Sequence, residues 1–173
     1  MYVPIILGTA RKGRQSEKAA AFVLEQAKEH GFDSELIDVR DYHIQATDNT
    51  GTIPAAKRLA EKVKKADALI IVTPEYNHGY PGELKMALDM LYDEFDGKTL
   101  GICGVSSGPI GGARCVEQLR QVAITFRMKP TREALYFSNI KELFDESGSI
   151  KGKEAWARRV KRLLDELGGK EME

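Results

Sequence analysis

Five short apolar runs punctuate the chain, and each gap between consecutive runs is filled by a stretch with the period of a helix. The runs are Val3 to Leu7, the more polar Leu36 to Val39, Ala68 to Val72, Leu100 to Val105 and Leu135 to Phe137. Between them, apolar residues recur at i, i+3, i+4, i+7, as in Ala20, Val23, Leu24, Ala27; then Ala56, Leu59, Ala60, Val63; then Leu84, Ala87, Leu88, Leu91. Such spacing places one apolar stripe on one helix face. Val116, Leu119, Ala123 and Phe126 mark a fourth helix, and Trp156, Val160, Leu163, Leu164 and Leu167 a fifth. Strands joined through helices must be parallel neighbours linked by right-handed crossovers, with helices on both faces of the sheet. The first, third and fourth runs read as central strands, whereas the charged second run reads as an edge, which predicts the order 2-1-3-4-5. In an open sheet of that order, ligands bind beyond the carboxyl ends of the strands at the switch point, here between strands 1 and 3. With 173 residues, the chain is expected to form one α/β domain. Lys141 to Lys153 is the expected mobile loop.

Charge narrows the function. The 26 basic and 26 acidic side chains cancel, which argues against binding nucleic acid through a broad positive field. No apolar run approaches the roughly 20 residues of a membrane-spanning helix, and the N-terminus lacks a secretory pattern, so a soluble protein without membrane attachment is expected. Cys103 and Cys115 form no metal-ligand spacing and suit free thiols in a reducing cytoplasm; no metal site is expected. His30 and His43 carry no mark of function.

Three loops fall at the expected ligand edge. The first, Gly8 to Ser16, reads GTARKGRQS: three cations (Arg11, Lys12, Arg14), two hydroxyls (Thr9, Ser16), two glycines and no acid. It leads into a helix whose first N–H groups lack partners and whose dipole favours an anion, as a terminal phosphate requires. The spacing is neither that of a Walker P-loop nor Gly-x-Gly-x-x-Gly. The plainer reading is a polar turn with Ser16 as a helix cap. The second loop, TPEYNHGYPGELKMALD from Thr73 to Asp89, starts a helix with Pro81 at its first position and Glu83 in the first turn, where negative charge is favoured. The pattern Pro74-Glu75-Tyr76-Asn77-His78-Gly79 exceeds what a connection needs, and a flat heteroaromatic ligand accounts for it. The third loop, VSSGPIGGARC from Val105 to Cys115, brings Ser106, Ser107 and Gly108 to the far side of the same crevice; Gly111 and Gly112 suit tight packing or a turn.

With GTARKGRQS, PEYNHGYPGELKMALD and SSGPIGGAR in this order, the chain resembles the NADPH-dependent FMN reductase family, the flavodoxin-like group of quinone, azo-dye and chromate reductases. The resemblance implies a flavodoxin-like three-layer sandwich, one bound FMN, and NADPH or NADH as co-substrate. It implies further that Thr9, Arg11 and Ser16, with Arg14 and Gln15 of the same loop, hold the phosphate. Pro74, Glu75, Tyr76, Asn77, His78 and Gly79 would line the flavin ring, and Ser106, Ser107 and Gly108 would close the site. Met86 departs from the Asn usual in the family, and the neighbourhood of Met90 lacks its frequent Trp, which bears on substrate preference and subunit packing.

On this reading hydride passes from nicotinamide through FMN to an electron-poor small-molecule acceptor by a ping-pong cycle, with no protein nucleophile. His78 is a candidate proton donor, against the plainer reading that it shapes the pocket mouth. Glu75 reads as a structural acceptor holding the turn. Tyr76 and Tyr80 are either flavin covers or core aromatics. The apolar continuation of helix 3 through Met86, Met90, Leu91, Tyr92 and Phe95 suggests a homodimer or a pair of dimers, against core packing. Rival readings are a flavodoxin-type electron carrier, a reductase using flavin as a diffusible substrate, and a non-catalytic binding module.

Overall fold

A computed structural model describes residues 1–43 and 50–170. Its sheet has five strands: β1 (Ile5–Leu7), β2 (Leu36–Asp38), β3 (Ala68–Pro74), β4 (Thr99–Val105) and β5 (Lys129–Phe137). All pairings are parallel and the order is 2-1-3-4-5, as the charge pattern of the second run requires. In register, Leu7 lies opposite Asp38 on one side and Val72 on the other, so the ends of β1, β2 and β3 share one rim.

Among the described residues, six α-helices connect or flank the strands: α1 (Ser16–Glu29), α2 (Pro54–Lys65), α3 (Gly82–Leu88), α4 (Ala113–Thr125), α5 (Ile140–Leu143) and α6 (Lys153–Leu167). The two-residue period of the strands divides their side chains between two cores. Ile5, Leu7, Ile70 and Val72 join α1 and α6, while Ile6, Leu69 and Ile71 join α2, α3 and α4. Because β1 and β3 are buried on both faces, their sequences are continuous apolar runs rather than alternating ones. Trp156 of α6 stacks on Phe137 of β5 with ring centroids 4.5 Å apart, tying the last helix to the edge strand.

Three expectations need correction. β5 starts at Lys129, six residues before the apolar run, because Lys129-Pro130-Thr131-Arg132-Glu133 is an edge whose pairing is completed by side chains. The Arg132 and Glu133 N–H groups donate to the Glu166 carboxylate, while Arg120 donates to the Thr131 and Arg132 carbonyls. Second, helix 3 does not continue to Phe95. α3 stops at Leu88 and the chain turns, which sends Met90, Leu91 and Phe95 into the core and leaves Tyr92 exposed. Third, the Lys141 to Lys153 segment is built rather than irregular. After α5, an antiparallel bridge joins Phe144 to Ile150, Asp145 accepts from the Ser147 hydroxyl and the Ser149 N–H, and Lys18 donates to the Asp145 carbonyl.

Candidate functional site

At the C-terminal rim of β1, β3 and β4 lies a cleft of about 330 Å³. Arg11, Gly13, Arg14, Gln15 and Ser16 form one wall; Pro74, Glu75 and Tyr76 a second; Val105, Ser106 and Ser107 a third. The three loops expected to converge therefore do converge. Thr9 is fully buried beneath the first wall, whereas Asn77, His78, Gly79 and Gly108 stand outside the lining.

The first loop ends where α1 begins. Gln15 is the N-cap but its side chain gives no capping hydrogen bond; the Lys18 N–H donates to the Gln15 carbonyl at 3.1 Å, which leaves the N–H groups of Ser16 and Glu17 at the open end of α1. Ser16 is the first helical residue and not a cap; the residue is 1% exposed and its Oγ has no hydrogen-bond partner among the described residues. Arg14 Nε is likewise buried without one, although the Glu17 carboxylate stands 3.5 Å away. A buried polar atom without a partner carries a desolvation cost of about 1–3 kcal/mol, so Ser16 Oγ at the start of the helix marks a place prepared for a polar ligand group. A phosphate fits it and the helix terminus beside it.

Arg14 nevertheless differs from the freely placed phosphate ligand that the sequence suggests. Its Nη1 and Nη2 grip both oxygens of Asp38, and Nη1 also donates to the Thr9 carbonyl. Nε faces the Glu17 carboxylate, so Arg14 is a supporting charge behind the loop more than a free ligand. Burial pushes the Asp38 carboxyl upward, but the bonds from Arg14 and Arg40 outweigh it and hold the group below the ordinary aspartate range. Arg11 is exposed and lies over the Tyr76 ring, 4.6 Å from its centroid, while the Tyr76 hydroxyl meets Thr9 Oγ1 at 3.1 Å. These contacts latch the first loop to the second.

The second loop is a tight turn closed by reciprocal bonds between Tyr76 and Gly79, N–H to carbonyl at 2.8 and 2.9 Å. Its central residues, Asn77 and His78, have φ of 50° and 67°, the left-handed pair of a type I′ turn. The backbone demand thus falls on Asn77 and His78 and not on Gly79. Glycine is the favoured residue at the second of these positions, so His78→Gly is expected to raise stability by about 0.5 kcal/mol and the thermal midpoint by about 1–2 °C in calorimetry. A fall would show that the imidazole contributes packing.

Glu75 has the structural role read from the sequence. Its carboxylate accepts from the Arg114 backbone N–H at 3.2 Å and from the Arg114 guanidinium at 3.1 Å, clamping the second loop to the start of α4. Tyr80 is half-buried against the α2–α4 core, where burial raises its phenol pKa; it is a core aromatic. Ser106 Oγ donates to the Gly108 carbonyl and so shapes the third loop, leaving Ser107 exposed in the wall. Both cysteines are buried; burial raises the Cys103 thiol and pushes Cys115 up to about 12, which keeps both protonated. Among the described residues, no group of three or more His, Cys, Asp or Glu is arranged to hold a metal ion, and no helix is long and apolar enough to cross a membrane.

Ile140 and Lys141, at the start of α5, complete the cleft and were not singled out in the sequence. Lys141 is exposed and has no ion pair among the described residues. The available signal was topological: β5 neighbours β4, so the turn after it shares the rim.

The family model of NADPH-dependent FMN reductase matches residues 1–142. An NAD(P)H-dependent FMN reductase of Schizosaccharomyces pombe is 39% identical over 143 residues, covering 76% of this chain and 70% of that protein. A quinone reductase of Escherichia coli is 34% identical over 131 residues, covering 72% and 70%. Among solved structures, the flavoenzyme NAD(P)H:(acceptor) oxidoreductase of Paracoccus denitrificans superposes with a TM-score of 0.82 at 24% identity, over 97% of each chain.

Proposed function

The chain belongs to the NADPH-dependent FMN reductase family, and from that premise we propose that it is a prosthetic-FMN enzyme passing hydride from NADPH or NADH to a quinone or similarly electron-poor acceptor by a ping-pong cycle. The observation that carries this reading is the basic cleft at the switch point, with Ser16 Oγ buried and without a hydrogen-bond partner beside the N–H groups of Ser16 and Glu17 at the helix N-terminus. Bound FMN supplies the hydride chemistry, so no protein nucleophile is needed.

The chain's own residues bind, orient and shield. Ser16 Oγ and the amides of Ser16 and Glu17 receive the phosphate, with Arg14 behind them and Arg11 and Lys141 adding positive charge at the mouth. The turn at Tyr76–Gly79 spends the N–H groups of Tyr76 and Gly79 on its own closure and sets the Tyr76 ring and the N–H groups of Asn77 and His78 on the flavin side, while Ser106 and Ser107 close the opposite wall. Backbone donors at the ring's polar edge would stabilise developing negative charge, an effect worth about 2.7–4 kcal/mol per donor in enzymes where one has been removed. His78, exposed at the turn tip, shapes the mouth; loss of nearly all turnover in His78→Ala with FMN still bound would instead assign it proton transfer.

The near-neutral charge disfavours the electron-carrier reading, since such carriers rely on a strongly charged face to meet protein partners. The remaining exposed part of the helix 3 region, Tyr92 with half-buried Met86, supports a two-fold homodimer or a pair of dimers of this single FMN-binding domain; a monomer in light scattering at micromolar concentration would remove the dimer.

Absorbance of the purified protein, followed by anaerobic titration with each nicotinamide and then a quinone, tests the whole reading. The expected result is flavin retained through gel filtration, bleached by nicotinamide and restored by quinone. Flavin lost on the column but turned over as substrate would convert the assignment to a diffusible-flavin reductase. Lys141→Met is expected to weaken FMN binding about fivefold, roughly 1 kcal/mol, and less at high salt, as a rim charge should. Fluorescence titration at two ionic strengths checks it.

A further inference from the structure

The first loop is shaped from behind, by residues that do not line the cleft. Three successive carbonyl oxygens accept from guanidinium groups: Thr9 from Arg14, Ala10 from Arg40 Nε at 3.4 Å, and Arg11 from Arg40 Nη2 at 2.9 Å. Both arginines converge on Asp38 at the end of β2, which takes a two-pronged ion pair from Arg14 and the Arg40 backbone N–H at 2.9 Å. Asp38 is placed by the sheet itself, since it lies in register with Leu7, the residue before the loop.

A trans peptide is planar, so the carbonyl of one residue and the N–H of the next point in opposite directions. With the carbonyls of Thr9, Ala10 and Arg11 turned toward Arg14 and Arg40, the N–H groups of Ala10, Arg11 and Lys12 are turned away from β2. The Arg11 N–H is taken by Thr9 Oγ1 at 3.2 Å; those of Ala10 and Lys12 face the side away from the guanidinium groups. Left alone, a loop with two glycines would sample other peptide orientations, including those that present carbonyl dipoles to an anion.

We infer that Asp38 and Arg40 are positioning residues for the cofactor phosphate: through Arg14 and the loop carbonyls they hold the peptide planes of Thr9 to Lys12 in the orientation that favours an anion. The inference rests on the FMN assignment and deepens it. Neither residue is among the lining of the cleft.

Riboflavin, which lacks the phosphate, separates this role from general damage. FMN and riboflavin affinities are measured by flavin fluorescence quenching on wild type, Asp38→Asn, Arg40→Met and Arg40→Lys, each checked for folding by thermal melt. FMN affinity is expected to fall about tenfold or more in Asp38→Asn and Arg40→Met, with riboflavin affinity changed less than twofold. Arg40→Lys should rescue only partly, because an ammonium is a point charge without the planar fork that spans two carbonyls. Equal losses for both ligands, or full rescue by lysine, would overturn the positioning role. So would a gain in FMN affinity in Asp38→Asn, which would show Arg14 released to act as a direct ligand. Wild-type protein that binds neither ligand would defeat the FMN assignment itself, and unchanged FMN affinity in both variants would defeat only this inference.

Discussion

Gly111→Ala is expected to destabilise the protein by about 3 kcal/mol, lowering the thermal midpoint by roughly 6–12 °C. Two causes add. Gly111 has φ of 62°, where an L-residue costs about 1–2 kcal/mol, and a Cβ there would lie 2.6 Å from the Tyr136 backbone carbon. The obstacle is backbone, so no side chain can swing aside. The neighbouring positions are as tight: a Cβ on Gly104 would lie 2.5 Å from the Gly111 carbonyl, and one on Gly112 would lie 2.8 Å from the Val105 N. The third loop thus sits directly on β4 so that α4 can start where Arg114 reaches Glu75. Gly82→Ala is the control, since Gly82 starts α3 with φ outside the left-handed region and open space at its Cβ; no loss is expected there. Equal calorimetric midpoints for the two variants would show that the close approach is not a constraint.

Arg14→Met should have a comparable effect for an electrostatic reason. The Arg14 side chain is 1% exposed and Asp38 only 15%, so removing the guanidinium leaves a carboxylate largely buried with its main partner gone. Breaking such a pair from one side costs about 3–5 kcal/mol, and the partial exposure of Asp38 places the expected loss near 3. Urea unfolding of wild type, Arg14→Met and the double variant Arg14→Met/Asp38→Leu tests this: the double variant should recover most of the loss, because no charge remains to be compensated. The pH dependence has a definite sign. Asp38 titrates below its ordinary value in the folded protein, so its contribution is present above the usual aspartate pKa and is lost as pH falls through the lowered one. The gap between wild type and Arg14→Met should therefore be full at neutral pH and close below about pH 4. A gap that persists undiminished at low pH would point to lost packing of the arginine stem instead.

How far these features were legible in the sequence depends on the range of the interaction behind them. The order of strands followed from Val3 to Leu7 and Ala68 to Val72 being apolar throughout while Ser34-Glu35-Leu36 was not, because a strand covered on both faces has no tolerance for charge. The polar half of β5 was invisible, since its hydrogen bonds are completed by Glu166 and Arg120 from helices. Met90, Leu91 and Phe95 kept their apolar character but not their helix, because the register of a turn after Leu88 is set by what it packs against.

By itself the sequence determined the parallel α/β class, the strand order and the rim at which three loops meet, because hydrophobic period and loop chemistry are local properties written residue by residue. Only the tertiary structure decided which charges in that rim are available. Arg14 reads as a free cation until β2 brings Asp38 to it across 24 residues, Glu75 reads as an acceptor whose donor stays unnamed until α4 brings Arg114 across 39, and Lys141 is not placed at the site until β5 carries it to the cleft. Pairing of charges depends on distance in space, and no period in the chain encodes that distance.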